Sequence, residues 1–328
     1  MFRFAIKVLQ VITALWVIAP LAQAQTFPES PITLIVPYAA GGPLDLTARV
    51  LGEHMTKTLG RPVVVEYVTG GGGRIATARL AKAAPNGYTL MMHQTALAAN
   101  VSLFPTDSVH VEKELTGVAM LNESPIFILA ANTINAKTMP DLVKWMKERN
   151  GTIRFAHAGV GTLSHLCAAL FANAVGVNAT MIPYRGGTPA ITDTVAGHTD
   201  LYCSSAQLAI PQVQAGKLAG IAVTSDKRMS LVNAVPTTAE VGFPSVKAVF
   251  WQALFAPAGT PKAIIDKING AVRDALADPT VQQKFEAAGM AASQPSDQTP
   301  SATNAFLRDE IKKWAEVIRA NNIQTTSQ

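Results

Sequence analysis

The chain has no G-x-S-x-G elbow, no H-E-x-x-H, no Walker loop and no cysteine–histidine spacing of a zinc site. Those absences remove the usual signatures of nucleophilic hydrolysis, metalloprotease chemistry and nucleoside-triphosphate binding. Aromatic residues make up only 6% of the chain, and its Lys and Arg are scattered rather than clustered. Neither a phosphate-tracking groove nor a base-stacking surface is indicated, so no nucleic-acid partner is expected. Cysteine is reduced to two residues, Cys167 and Cys203. Leu163, Leu166, Cys167, Leu170, Phe171 and Ala174 recur at helical spacing, which reads Cys167 as a core residue on an apolar stripe. A disulfide between the two cysteines is the lesser reading, and a metal site is lesser still.

Apolar runs long enough to span a bilayer, roughly 20 residues, are also lacking. The nearest approach is at the start, where Arg3 and Lys7 lead into the run Val8 to Leu21 and then Ala22-Gln23-Ala24. Basic flank, short apolar run and small-x-small ending form a secretory signal, with cleavage expected after Ala24 and export to the periplasm. Losing Arg3 and Lys7 leaves 25 basic against 22 acidic side chains, a mature net charge of about +3. That balance is mild. About 300 mature residues exceed one comfortable core, and two lobes of roughly 100–200 residues are expected.

Strand-like and helix-like segments alternate, the pattern of parallel α/β construction. "PITLIVPY" precedes a helix expected over 46–59, whose Leu46, Val50, Leu51, Met55 and Leu59 share a face. "RPVVVEYV", a four-glycine loop at 70–73, the helix "RIATARLAKAA" and the strand "TLMMHQ" follow. Further strands are expected at 126–132, 153–159, 180–184, 200–205, 218–225 and 250–257, with helices between several of them and only helices after them. A helical tail following a second α/β lobe most economically returns to the first. The expected division is therefore a discontinuous lobe of residues 25–124 and 249–328, with residues 125–248 inserted between them.

In open α/β sheets a ligand lies beyond the carboxyl ends of the strands, where helix N-termini point. Two strand-to-helix turns, "YAAGGPLD" and "HAGVGTLSH", combine glycine with that position and suit an anion. Asp45 reads either as a cap turned away from the ligand or as a reader of a hydroxyl or ammonium group. Thr162 reads as an N-cap or a donor. His93, Gln94 and Thr95, and likewise Ser204 and Ser205, follow strands and are candidate polar contacts by position. Arg185 follows a strand and is either a fork for a distal carboxylate or a surface arginine. Ser164 and His165 are adjacent on a helix and diverge by about 100°, so they do not form a nucleophile–base pair. The glycine run 70–73 lacks a dinucleotide fingerprint and reads as a loop beside the sheet.

"PITLIVPYAAGGPLDLTARVLGEHMTKTLGRPVVVE", "AKAAPNGYTL", "PYRGGTPAITDTVAGHTDL", "GKLAGIAVTSDKR", "PTTAEVGF" and "APAGTP" together resemble the periplasmic substrate-binding proteins of tripartite tricarboxylate transporters, the Bug group. The resemblance covers essentially the whole mature chain. It implies a two-lobed, Venus-flytrap type II periplasmic-binding fold, a monomer without cofactor or metal, and a non-enzymatic role. It further implies a small carboxylate ligand passed to a membrane permease of one large and one small subunit. Carried over residue by residue, the carboxylate grip falls on Tyr38, Ala40, Gly42, Leu44 and Asp45 of the first turn. From the second turn it takes Gly159, Gly161, Thr162, Ser164 and His165. Rival readings are a sensory adaptor presenting its ligand to a membrane kinase, a periplasmic α/β hydrolase and, last, a nicotinamide-dependent enzyme.

Overall fold

The computed structural model describes residues 27–106 and 109–325. The expected signal segment, with cleavage after Ala24, lies outside the described residues. The chain opens with β1 (Ile32–Val36), α1 (Pro43–Leu59), β2 (Val63–Tyr67), α2 (Arg74–Ala81), β3 (Thr89–Gln94) and α3 (Ala96–Leu103). A long strand, β4 (Leu115–Ala131), leads to α4 (Met139–Glu148), β5 (Ile153–His157), α5 (Leu163–Val175) and β6 (Ala179–Pro183). Next come α6 (Gly187–Val195), β7 (Leu201–Ser205), α7 (Ala206–Gln214), β8 (Leu218–Val223) and β9 (Val249–Pro257). The chain closes with α8 (Lys262–Ala277), α9 (Pro279–Ala287), β10 (Ala291–Ala292) and α10 (Pro300–Ala320).

The sheet runs β2-β1-β3-β9-β4-β7-β5-β6, with β8 and β10 also on β4. It is mixed rather than wholly parallel. β1 is parallel to β2 and β3, and β5 to β6 and β7, but β9 is antiparallel to both β3 and β4. β4 is the joint between the two halves. Its 17 residues reach roughly 55 Å at about 3.3 Å each, more than twice the length the apolar run 126–132 suggests. Leu115 to Pro125 pair with β9, and from Ile126 onward the strand pairs with β7 and β8 instead. Pro125, which has no N–H to give a ladder, stands where the partners change.

The polar stretch Asn122-Glu123-Ser124, of which Asn122 and Ser124 are buried, disguises the first half of β4 as a loop in the sequence. Asn122 sits fully inside, its Nδ2 donating to Thr47 Oγ1 at 3.1 Å. The tail contributes the two-residue strand β10 beside β4, which corrects the expectation of a strandless tail. α8 packs on α1 and β4, and α10 packs on α3 and β4. Buried Glu310 of α10 accepts from Trp251 Nε1 of β9 at 2.8 Å and from Trp314 Nε1 at 2.9 Å.

The two cysteines form a disulfide from α5 to β7, with Cα atoms 6.1 Å apart. This overturns the reading of Cys167 as an unpaired core residue. Cys167 is buried on its stripe as expected, but packing α5 on β7 brings Cys203 directly against it, and strand residue spacing alone carried no sign of that.

Candidate functional site

The first turn begins where β1 ends. Gly42 is the N-cap of α1, Pro43 fills the first helical position, where a missing N–H costs nothing, and Gly41 takes φ +77°. The helix thus starts three residues earlier than 46, which places Asp45 inside its first turn rather than ahead of it. Asp45 Oδ2 accepts the Gly41 N–H at 2.7 Å, and Oδ1 accepts from Arg49 Nε at 2.8 Å and Tyr67 Oη at 2.5 Å. Burial pushes the carboxyl pKa up, but the hydrogen bonds from Tyr67, Gly41 and Arg49, with the charge of Arg49, hold it below the ordinary value. Asp45 is a clamp on the turn. Its lone pairs are spent on the protein, which resolves the conflict between a carboxylate and an anion site.

The second turn is locked in a similar way. Thr162, the N-cap of α5, donates its Oγ1 to the Gly159 carbonyl at 2.6 Å, and Ser164 Oγ accepts the Ala158 N–H at 2.8 Å. The two hydroxyls lie 3.0 Å apart. The rings of His157 and His165 meet tilted at 48°, with centroids 4.7 Å apart. Burial, and for His157 also the neighbouring His165, lowers their pKa values to about 3 and about 4. His165 Nδ1 accepts the Gly161 N–H at 3.4 Å.

Both turns border one cavity of about 50 Å³ between the halves of the sheet. Of the residues singled out from the sequence, Tyr38, Gly42, Leu44, Asp45, Gln94, Thr162, Ser164 and Ser205 line it. Four helix N-termini meet there, those of α1, α5, α6 at Gly187 and α7 at its cap Ser205. Each helix start leaves N–H groups without intrahelical partners and carries the positive end of the dipole. No Lys or Arg is among the lining residues. Ser205 Oγ is buried there with no protein partner. Such a lining suits a compact anion held by main chain rather than by an ion pair.

The other candidates lie off the cavity. His93 is buried, its Nδ1 accepting the Gln94 N–H at 2.9 Å, and burial lowers its pKa to about 4 against the opposing hydrogen bonds at Gln94 and Gly73. Thr95 Oγ1 donates to the Val249 carbonyl at 3.5 Å, and Ser204 Oγ to the Ser205 carbonyl at 3.2 Å. Ala40 and Arg185 are exposed. Arg185 contributes its carbonyl, which accepts the Ala39 N–H of the opposite turn at 3.3 Å. Gly161 serves close approach, since a methyl group there would overlap Asn100 Oδ1 of α3, whereas one at Gly159 would meet Gly72 Cα at an ordinary 3.5 Å and glycine there serves φ +125°.

The glycine run 70–73 is therefore more than a loop beside the sheet. All four of its residues have positive φ, and a methyl at Gly72 would overlap the Val160 carbonyl across the cleft. Sequence reasoning also missed the apolar wall of the cavity, Ile126, Tyr202, Cys203 and Phe250. These are ordinary strand residues without polar signal. Only their place in the sheet marks them: Ile126 stands where β4 changes partners, Tyr202 and Cys203 lie within β7, and Phe250 is near the start of β9. Among the described residues, no helix is long and apolar enough to cross a membrane, and no cluster of three or more His, Cys, Asp or Glu could hold a metal ion.

Comparison with known proteins agrees with this geometry. A family model described as "Tripartite tricarboxylate transporter family receptor" matches residues 47–323. Protein BugT of Bordetella pertussis is 35% identical over 304 residues, covering 92% of each chain. MatC from Rhodopseudomonas palustris, solved with bound malate, superposes with a TM-score of 0.86 at 33% identity, over 89% of this chain and all of its own. The periplasmic binding protein BugD superposes with a TM-score of 0.87 at 32% identity, over 91% of this chain and 99% of its own.

Proposed function

This chain belongs to the tripartite tricarboxylate transporter receptor family, and from that premise we propose that it captures a small organic acid between its two lobes and hands it to a membrane permease of one large and one small subunit. The acid's proximal carboxylate sits among the four helix N-termini. Tyr38, Gly42, Leu44, Asp45, Gln94, Thr162, Ser164 and Ser205 shape that place, and Gly159, Gly161 and the glycine run 70–73 let the lobes meet around it. The observation that carries this reading is the convergence of four helix starts on a cavity without a cationic side chain. The malate bound to MatC, a relative of the same fold, supports a carboxylate as the ligand.

The lobes in this reading are residues 25–124 with 249–328, and residues 125–248. The switch of β4 from β9 to β7 and β8 at residues 125–126 supports that division. The N-terminal segment directs export and is removed by cleavage after Ala24, and the mature protein acts in the periplasm as a monomer. Binding involves no bond breaking. Ligand contacts that exist only when both lobes meet supply the differential affinity that favours the closed state, and direct lobe-to-lobe bonds such as the Ala39 N–H on the Arg185 carbonyl add to closure without depending on the ligand.

Calorimetry of the purified mature protein against a panel of mono-, di- and tricarboxylates, malate included, tests the reading. Ser205→Leu, which fills the cavity at its unpartnered hydroxyl, is expected to weaken binding by about 100-fold or more, the upper range for a group that does not fit a pocket. Failure of every acid to bind, or unchanged affinity in Ser205→Leu, would refute it.

A further inference from the structure

The cavity between the turns is not alone in the cleft. A second, larger space of about 620 Å³ opens beside it, bordered by the glycine run 70–73, Val160, Arg74 and Arg185. Only Tyr38 and Ala158 border both spaces. Ala158 has no side chain to speak of, so the partition is Tyr38. Its hydroxyl is tied on each side, accepting from Gln94 Nε2 on the inner side at 2.6 Å and donating to the Gly72 carbonyl on the outer side at 3.2 Å. Its ring stands edge-on to buried His93 with centroids 6.2 Å apart. A phenol held at three points is a fixed wall and not a mobile lid.

We propose that Tyr38 sets the length of the ligand: it closes the inner cavity behind a short acid of about four carbons and shuts longer diacids out of the outer space. This rests on the carboxylate-binding reading above. At about 10–15 Å³ of such volume per water, the inner cavity has room for roughly three to five waters. A short acid fills that room. An eight-carbon diacid anchored at the helix N-termini would have to pass through the Tyr38 ring. Beyond the ring, exposed Arg185 borders the outer space and would favour a second carboxylate arriving there. Tyr38 thus acts against long ligands by steric exclusion, a specificity built by rejection.

The test is calorimetry with α,ω-dicarboxylates of four to eight carbons on the wild type, Tyr38→Ala and Tyr38→Phe. The wild type is expected to prefer four carbons and to lose about tenfold or more when the chain outgrows the cavity, the discrimination a single methylene can give. Tyr38→Ala, which joins the two spaces, is expected to move the optimum to six to eight carbons. Tyr38→Phe frees the ring from Gln94 and Gly72 and is expected to narrow the preference without reversing it. If the wild type binds short and long diacids equally, or if it prefers short ones and Tyr38→Ala keeps that ranking, the length filter is wrong while carboxylate binding stands. If no acid binds the wild type, both readings fall. The wild-type chain-length profile decides even where a variant does not fold.

Discussion

Lowering the pH from 7.5 to 5 should destabilise this protein steeply, through three histidines that fold neutral. His93, His157 and His165 are buried, and burial depresses their pKa values to about 4, 3 and 4. Each titrates near 6.5 in the unfolded chain. A depressed folded value means that the unfolded state binds more protons in between, so stability is fully present above pH 6.5 and is lost as the pH falls toward 4. At pH 5 each histidine costs about 1.36 kcal/mol for each of 1.5 pH units, about 2 kcal/mol, and three cost about 6 kcal/mol. That is comparable with the whole stability of a typical domain. The slope near pH 5 approaches about 4 kcal/mol per pH unit. Asp45, Asp193, Glu240 and Asp278 are held below their ordinary values and act only in the more acid range. Glu123, raised by burial and by Asp297 and Glu310, works in the opposite direction as a single group. Urea unfolding at half-unit steps from pH 7.5 to 4.5 measures the slope. His157→Gln should remove about a third of it. A slope under about 1 kcal/mol per pH unit between pH 6 and 5 would refute the reasoning.

Three further outcomes are expected. Gly161→Val should drive a side chain into Asn100 and prop the lobes apart, so ligand affinity falls about 100-fold while the ligand-free protein stays folded; adding Asn100→Gly should restore part of it in calorimetry, since the strain of φ +79° is common to both. Asp45→Ala removes the acceptor shared by Gly41, Tyr67 and Arg49 and should cost about 1–3 kcal/mol in denaturant unfolding, with weaker ligand binding from a slack first turn. Cys203→Ser opens a cross-link spanning 36 residues and should lower stability by about 2–4 kcal/mol, measured by urea unfolding with and without reductant on the parent protein.

Strands such as β1 and β2 and helices such as α1 announce themselves because one face of each is apolar and the other is not. α3, "ALAANVSL", lacks that contrast: nearly every residue in it is buried, so no periodicity marks it. β4 hides behind Asn122, Glu123, Ser124 and Pro125, which look like a turn until β9 pairs with their backbone and Asn122 Nδ2 reaches Thr47. The two strand-to-helix turns at the cavity were legible from glycine beside a helix start. What glycine does at Gly161 and Gly72 was not, since the reason is a partner 60 or more residues away in sequence, Asn100 for one and Val160 for the other. Asp45 could be narrowed to a cap or a reader, and its bonds from Gly41, Arg49 and, on β2, Tyr67 decide between them.

A charge held by peptide groups has an unusual genetic signature. Side-chain replacement around the cavity leaves the amide hydrogens of α1, α5, α6 and α7 in place, so conventional alanine scanning should find few positions of large effect on the shared head group. Under the proposed reading, mutations at Ile126, Tyr202 or Phe250 should instead exchange one acid for another while the grip persists. A scaffold organised this way can diversify its menu of nutrients by small steps, without passing through a form that holds nothing.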